Sequence, residues 1–387
     1  MRDFISQRVK ELQPSATVRL MSLAKQMKEE GQDIINLAGG EPDFKTPSPI
    51  IERAYTDMKA GFTSYIQSQG LPELRRKLAQ KLQAENHIDA VPEGILVTAS
   101  TKLALFIGLF TCLQAGDEAL YFEPAYVSYK PIIELTGAKA IGIPLSYEDN
   151  YQIRKSEIER FITPQTKAII LCSPNNPTGR VCQADELKAI AEVACERDLL
   201  IFSDEIYERI IFSGFKHISP ASLPELKGRV ITLNGFSKAY AMAGWRLGYV
   251  AADPDLLRQM AKVQQHILNC ATSFVQSAAL TALDCEADVS RMCREYDERC
   301  RYFVQALNEI PCVTCRAPQG AFYVLPRIDY RGMDSLALSE YLLTEGRVAA
   351  APGDAFGRGA ENCIRMPFAA SMEVLQETVR RLQRILQ

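Results

Sequence analysis

Between residues 95 and 251, seven short apolar runs alternate with longer amphipathic stretches. The runs cover residues 95–99, 119–122, 138–143, 168–172, 199–203, 230–233 and 247–251. They are apolar almost throughout, as strands must be when both faces of their sheet are covered. Residues 102–114, 127–136 and 184–197 have the length and period of helices. Alternation of this kind allows few topologies. It predicts an α/β fold whose large domain is a mainly parallel open sheet sandwiched by helices.

After Asp253-Pro254 the texture changes. One long helix is expected over residues 255–284 and a second over 289–308, with Arg/Glu pairs on its exposed face. A strand is expected over 320–326 and a closing amphipathic helix over 372–386. The division expected from this is a large domain over residues 46–284 and a smaller α+β domain over 285–387. Residues 1–45 do not fit the alternation, and are expected as an arm that joins the smaller domain.

Charge narrows the partners. Lysine and arginine total 44 against 47 aspartates and glutamates, a net charge of −3 in 387 residues. No basic surplus suits a nucleic acid and no polybasic tail suits a membrane. The N-terminus lacks the apolar core of an export signal, and the longest apolar run, 103–113, is far below the roughly 20 residues of a membrane span. A cytoplasmic protein is expected. Eleven cysteines, an odd number in a chain without an export signal, read as buried apolar side chains and surface thiols. Cys312-Val-Thr-Cys315 is the only CxxC and His87, His217 and His266 lie elsewhere, so no metal site is expected.

The chemistry is expected at the C-terminal ends of the strands, where open α/β sheets hold ligands. No G-x-G-x-x-G follows a strand and no P-loop is present. Ser100-Thr101-Lys102 follows the first run. It could be a plain helix cap, but its free backbone N–H groups also suit a phosphate. The run at 168–172 ends in Ser173-Pro174-Asn175-Asn176-Pro177-Thr178-Gly179, and the next in Asp204-Glu205-Ile206-Tyr207. The run at 230–233 leads to Ser237-Lys238, then Gly244-Trp245-Arg246. A lysine among small and apolar residues is costly unless used, and desolvation moves its amine toward nucleophilic range.

With Gly40-Glu41-Pro42-Asp43-Phe44, Tyr65, Gly70 and Arg365-Met366-Pro367-Phe368, these motifs resemble, in order and over nearly the whole chain, the class I and II aminotransferases of pyridoxal-phosphate fold type I. The bacterial aspartate aminotransferase-like branch is nearest. The resemblance implies pyridoxal 5′-phosphate as cofactor, with Lys238 as its Schiff-base partner and the catalytic base. It implies Asp204 paired with the pyridine nitrogen, Tyr207 and Asn176 at the ring oxygen, and Tyr126 stacked on the ring. Ser100, Thr101, Lys102 and Arg246 are implied at the phosphate. Tyr65 is implied to reach the neighbouring subunit's phosphate, hence a homodimer.

Arg365 is implied at the substrate α-carboxylate, with Gly40 and Asn176 beside it and Val18 closing over the substrate. Cis bonds are implied before Pro124 and Pro177. Gly235 departs from the pattern, standing where many relatives carry a phosphate-binding serine. Lys102 matches a lysine that contacts the distal carboxylate of acidic substrates. The expected reaction is therefore ping-pong amino transfer from an L-amino acid, aspartate or glutamate favoured, to a 2-oxo acid such as 2-oxoglutarate. Aromatic, aliphatic or basic substrates and a β-eliminating carbon–sulfur lyase remain the alternatives.

Overall fold

The computed structural model describes residues 4–12, 16–212 and 214–387, without the side chains of residues 8, 11 and 16–19. Val18, expected over the substrate, therefore lies outside the described side chains.

Thirteen strands form three sheets among the described residues. After β1 (Ile35–Leu37), the large sheet takes β2 (Ile95–Thr98), β3 (Glu118–Glu123), β4 (Lys139–Pro144), β5 (Thr166–Cys172), β6 (Leu200–Asp204), β7 (Val230–Gly235) and β8 (Gly248–Ala251). Their spatial order is β2-β8-β7-β6-β5-β3-β4. All seven expected runs are strands, and β2, β3, β7 and β8 are buried along their whole length. That burial accounts for their unbroken apolar character.

One strand runs against the rest. β8 is antiparallel to both β7 and β2, while β4, β3, β5, β6 and β7 are mutually parallel. The connection from β7 to β8 holds no α-helix, only the short 3₁₀ turn Ala243–Trp245. It cannot carry the chain back across the sheet, so the chain returns beside β7 in reverse. The consequence is functional. The start of β8, with Arg246 just before it, meets the edge where the parallel strands end.

The remaining strands are β9 (Val313–Thr314), β10 (Tyr323–Val324), β11 (Arg327–Ile328), β12 (Val348–Pro352) and β13 (Ile364–Pro367). A second sheet has the order β1-β12-β13-β10, with β1 parallel to β12 and the other pairs antiparallel. Residues 35–37 thus join the sheet built by the C-terminal part. The core beneath it gathers Tyr296, Phe303, Phe322, Tyr323 and Phe368.

Two expected elements differ. The helix expected over 255–284 is two helices, Pro254–Ile267 and Ser273–Ala282. Side chains hold the break open: Gln276 Nε2 donates to the Ala271 carbonyl at 2.8 Å and its Oε1 accepts from the Leu71 N–H at 2.9 Å. Such side-chain bonds offer the backbone an alternative to a continuous helix. The strand expected over 320–326 is a strand only at Tyr323–Val324; Gly320 makes a separate antiparallel bridge to Ile211, and between them Ala321 turns into the left-handed region at φ 58°.

Candidate active site

The C-terminal edge of the large sheet faces one side of the second sheet across a cavity of about 300 Å³. Gly40, Ser100, Thr101, Lys102, Tyr126, Asn176, Asp204, Tyr207, Lys238, Arg246 and Arg365 all line it. Of the expected residues with described side chains, only Tyr65 stands apart, and it is 81% exposed. Four cationic side chains and two carboxylates line the cavity. It is therefore cationic inside a protein of net charge −3, a bias that draws anions to this spot.

Lys238 follows β7. Its Nζ donates to the Gly40 carbonyl and lies 5.8 Å and 5.7 Å from the ring centres of Tyr207 and Phe322. Burial pushes its amine down to about 8, with Arg365 and Arg246 acting in the same direction against Glu41 and Asp204. Asp204 ends β6, fully enclosed, and burial pushes its carboxyl up to about 6. Its Oδ2 accepts from the Tyr129 hydroxyl at 2.8 Å and its Oδ1 from the Ile206 N–H at 3.3 Å.

Arg365 comes from β13 and is buried. Its Nη1 donates to Asn176 Oδ1 at 3.2 Å, and Nη2 donates to the carbonyls of Ala38 and Gly39 at 2.6 and 3.0 Å. The guanidinium lies 4.6 Å from the Tyr323 ring centre and 4.9 Å from that of Phe356. Among the described residues its Nε–H has no partner and no carboxylate pairs with it. A buried guanidinium left in this state is costly and fits a carboxylate supplied from outside. Register explains the neighbour: Tyr323 pairs with Pro367, two residues from Arg365, so both side chains share one face of the sheet.

Ser100 caps the Thr101–Cys112 helix, its Oγ accepting from the Leu103 N–H at 3.1 Å with extended backbone at φ 175°. The Thr101 hydroxyl donates to the Asn234 carbonyl at 3.1 Å. What this turn presents to an anion is therefore chiefly its first-turn backbone N–H groups. The same threonine accounts for Gly235. A Cβ there would meet Thr101 Oγ1 at 2.8 Å and the Leu247 carbonyl at 2.9 Å, so a serine does not fit beside it. Ser237, two residues on, lines the cavity. Gly40 is held to glycine in a similar way, since a Cβ would stand 2.4 Å from the Tyr323 hydroxyl.

Peptide bonds before Pro124 and Pro177 are cis, as is a third, before Pro174, that the sequence reading did not include. That reading also missed Tyr129 and Tyr323. Tyr323 Oη lies 2.9 Å from Tyr207 Oη. Tyr129 could have been found: it stands only three residues after Tyr126, at the same strand end, in the segment 127–136 read as helical.

Below the cavity, Glu205, Glu208 and His217 approach one another. Glu205 accepts from Ser203 and Ser219 and lies 3.0 Å from His217 Nε2. Lys81 and Asn86 bind Glu208. Lys81 already supplies the counter-charge a cation would bring.

A buried lysine amine, an enclosed acid and a guanidinium without a carboxylate partner among the described residues fit one class, an amino-group-transferring enzyme. The chain belongs to the class I and II aminotransferases, whose family model matches residues 32–382. It is similar to an aspartate aminotransferase of Musicola paradisiaca, 42% identical over 96% of this chain and 94% of that one. It is also similar to aromatic-amino-acid aminotransferase 2 of Thermococcus litoralis, at 39% identity over 99% and 98%. Among solved structures, the aspartate aminotransferase of Thermus thermophilus with maleate superposes with a TM-score of 0.95 at 35% identity, covering all of both chains. The chain is a transaminase of fold type I, and membership implies dependence on pyridoxal phosphate.

Proposed function

We propose that this transaminase takes acidic amino acids, aspartate or glutamate, with 2-oxoglutarate as amino acceptor, in the cavity between the two sheets. Four cations line the cavity with no ion pair among the described residues; with Lys238 and Arg246 assigned to the cofactor, the observation that carries the proposal is the pair that remains. Arg365 is one; Lys102, whose Nζ lies 5.5 Å from the Tyr126 ring centre, is the other. Two carboxylates on one substrate would satisfy both. The maleate of the Thermus relative is likewise a dicarboxylate.

The residues present fit pyridoxal phosphate. An enclosed Asp204 carboxylate with no cation bonded to it among the described residues suits a pyridinium, and Arg246 with the helix N-terminus at Ser100–Lys102 suits a phosphate. When bound, the cofactor supplies an aldehyde that links to amines and a ring that accepts the electron pair released at the α-carbon. Lys238 takes the proton from that carbon and returns it one position away; an amine near pH 8 can both accept and donate it. Asp204 keeps the ring nitrogen protonated. Arg365 orients the substrate through its carboxylate, and Asn176 orients Arg365. Tyr323 holds the Tyr207 hydroxyl in place.

We assign residues 46–284 to a large domain and 285–387, with the N-terminal 45, to a smaller one, in a homodimer. Ile51, Tyr55 and Met58 form an exposed apolar stripe on the Ser48–Lys59 helix, and Tyr65 is exposed a short way along the chain, as a second copy would require.

Steady-state kinetics with aspartate and 2-oxoglutarate test the assignment. Parallel double-reciprocal lines, the mark of a ping-pong reaction, are expected. Pyruvate and ammonia released from a cysteine-type substrate, without amino transfer, would point instead to the lyase. A preference for tyrosine or phenylalanine over aspartate would keep the reaction and discard the acidic pair.

A further inference from the structure

We infer that Tyr129 is a positioning residue of this site, its phenol pinning one oxygen of Asp204 while its ring sets the attitude of Tyr126. The inference rests on the proposed pairing of Asp204 with the cofactor's pyridine nitrogen. Tyr129 opens the Tyr129–Leu135 helix that follows β3 and is buried. Its hydroxyl donates to Asp204 Oδ2 at 2.8 Å. Its ring meets that of Tyr126 edge to face, 5.5 Å between centres at 81°. One side chain thus touches both the acid assigned to the cofactor's ring nitrogen and the aromatic assigned to stack on the ring.

The choice of tyrosine carries the argument. A buried hydroxyl needs a partner, and phenylalanine would fill nearly the same space without that requirement. The partner found is the one carboxylate of the cavity that ends a central strand. β5 and β6 bring Cys172 opposite Asp204, so the thiol, the phenol and the acid form one enclosed group. Burial and the neighbouring carboxylate hold the phenol well above its ordinary ionisation, so it stays a donor. The Tyr129 bond works against the burial that raises the Asp204 carboxyl. Lys238 acts in the same sense as Tyr129 and Glu205 against it, with the Cys172 thiol facing Asp204 from β5.

Loss of the hydroxyl should therefore raise the Asp204 carboxyl further. Because the ionised acid is the useful form, the acid limb of activity should move to higher pH.

The experiment compares the holoenzyme with Tyr129→Phe and Asp204→Asn. Tyr129→Phe should lower kcat roughly 10- to 100-fold, the range for a lost hydrogen bond to a charged group. The KM for the amino acid should stay within about threefold, since Tyr129 is remote from Arg365 in role. Pyridoxal phosphate should dissociate more readily from the variant, measured by equilibrium dialysis. The melting temperature of the cofactor-free protein should hold within a few degrees, as only one oxygen is removed. A Tyr129→Phe enzyme with parental kcat, acid limb and cofactor affinity, beside a crippled Asp204→Asn, overturns the inference alone. A silent Asp204→Asn overturns the reading of the site, and the inference with it. Should Tyr129→Phe melt far below the parent, a parental acid limb and cofactor affinity in the surviving folded fraction would also overturn it.

Discussion

Replacing Lys238 with alanine should lower amino transfer by roughly 10⁴-fold or more, because the variant loses the proton carrier at the α-carbon, a function worth up to about that factor by itself. The fold should survive. Among the described residues the lysine is bonded only to the Gly40 carbonyl, and its neighbours Tyr207 and Phe322 pack within a larger core. A second measurement needs no cofactor. In the cofactor-free protein Lys238 is held down to about 8, chiefly by burial. The neutral amine is the reactive form, so labelling by an amine-directed reagent should rise with a midpoint near pH 8 and fall away below it. An ordinary lysine, near 10.4, is neutral to less than about 1% at that pH. Undiminished turnover by Lys238→Ala, or labelling of Lys238 only above pH 10, would remove it from the centre of the site.

Arg365→Lys is the second large effect. The guanidinium uses Nη1 for Asn176 and Nη2 for two backbone carbonyls, and offers its remaining N–H groups to a ligand. An ammonium has three donors on one nitrogen and cannot reach the same acceptors while also gripping a carboxylate in a fork. Binding of the amino acid should weaken by about 1.5–3 kcal/mol, read as a KM raised roughly 10- to 100-fold. Lysine also leaves Asn176 Oδ1 and the Ala38 carbonyl short of a donor in a buried place, so part of the loss comes from the protein itself. An unchanged KM would mean that the substrate carboxylate is held elsewhere.

These residues differ in how far they could be read before the fold was known. The large sheet was legible because its strands are covered on both faces, which leaves an unbroken apolar signature in the chain. The strand-end motifs were legible because each follows its run directly. The direction of β8 was not: nothing in residues 248–251 distinguishes an antiparallel strand, and only the helix-free connection before it does. The break after Ile267 was hidden because Gln276 acts through contacts with residues 71 and 271, the first of them 205 positions away in the chain. The reason for Gly235 was hidden in a related way. Its lack of a hydroxyl looks like a missing ligand in the sequence, whereas in space it makes room for Thr101.

The second sheet contributes to the site as well as the first. Gly40, Tyr323 and Arg365 all come from or beside it. The Ala125 N–H bonds the Phe356 carbonyl at 2.8 Å, and Arg358 bonds Glu123 at 2.7 Å. These tie the loop carrying Tyr126 to the turn whose Phe356 ring lies over Arg365. The ring-stacking residue and the carboxylate anchor are thus fixed to one another across the cavity, as orientation-dependent chemistry requires.

The most direct test is the absorption spectrum of the purified holoenzyme before and after addition of a single amino acid with no 2-oxo acid present. Aspartate or glutamate alone should convert the band of the lysine-linked cofactor into that of its pyridoxamine form, and 2-oxoglutarate should then restore it. A band that acidic amino acids leave unchanged, but that aromatic or aliphatic ones convert, would contradict the pairing of Arg365 and Lys102 with a dicarboxylic substrate.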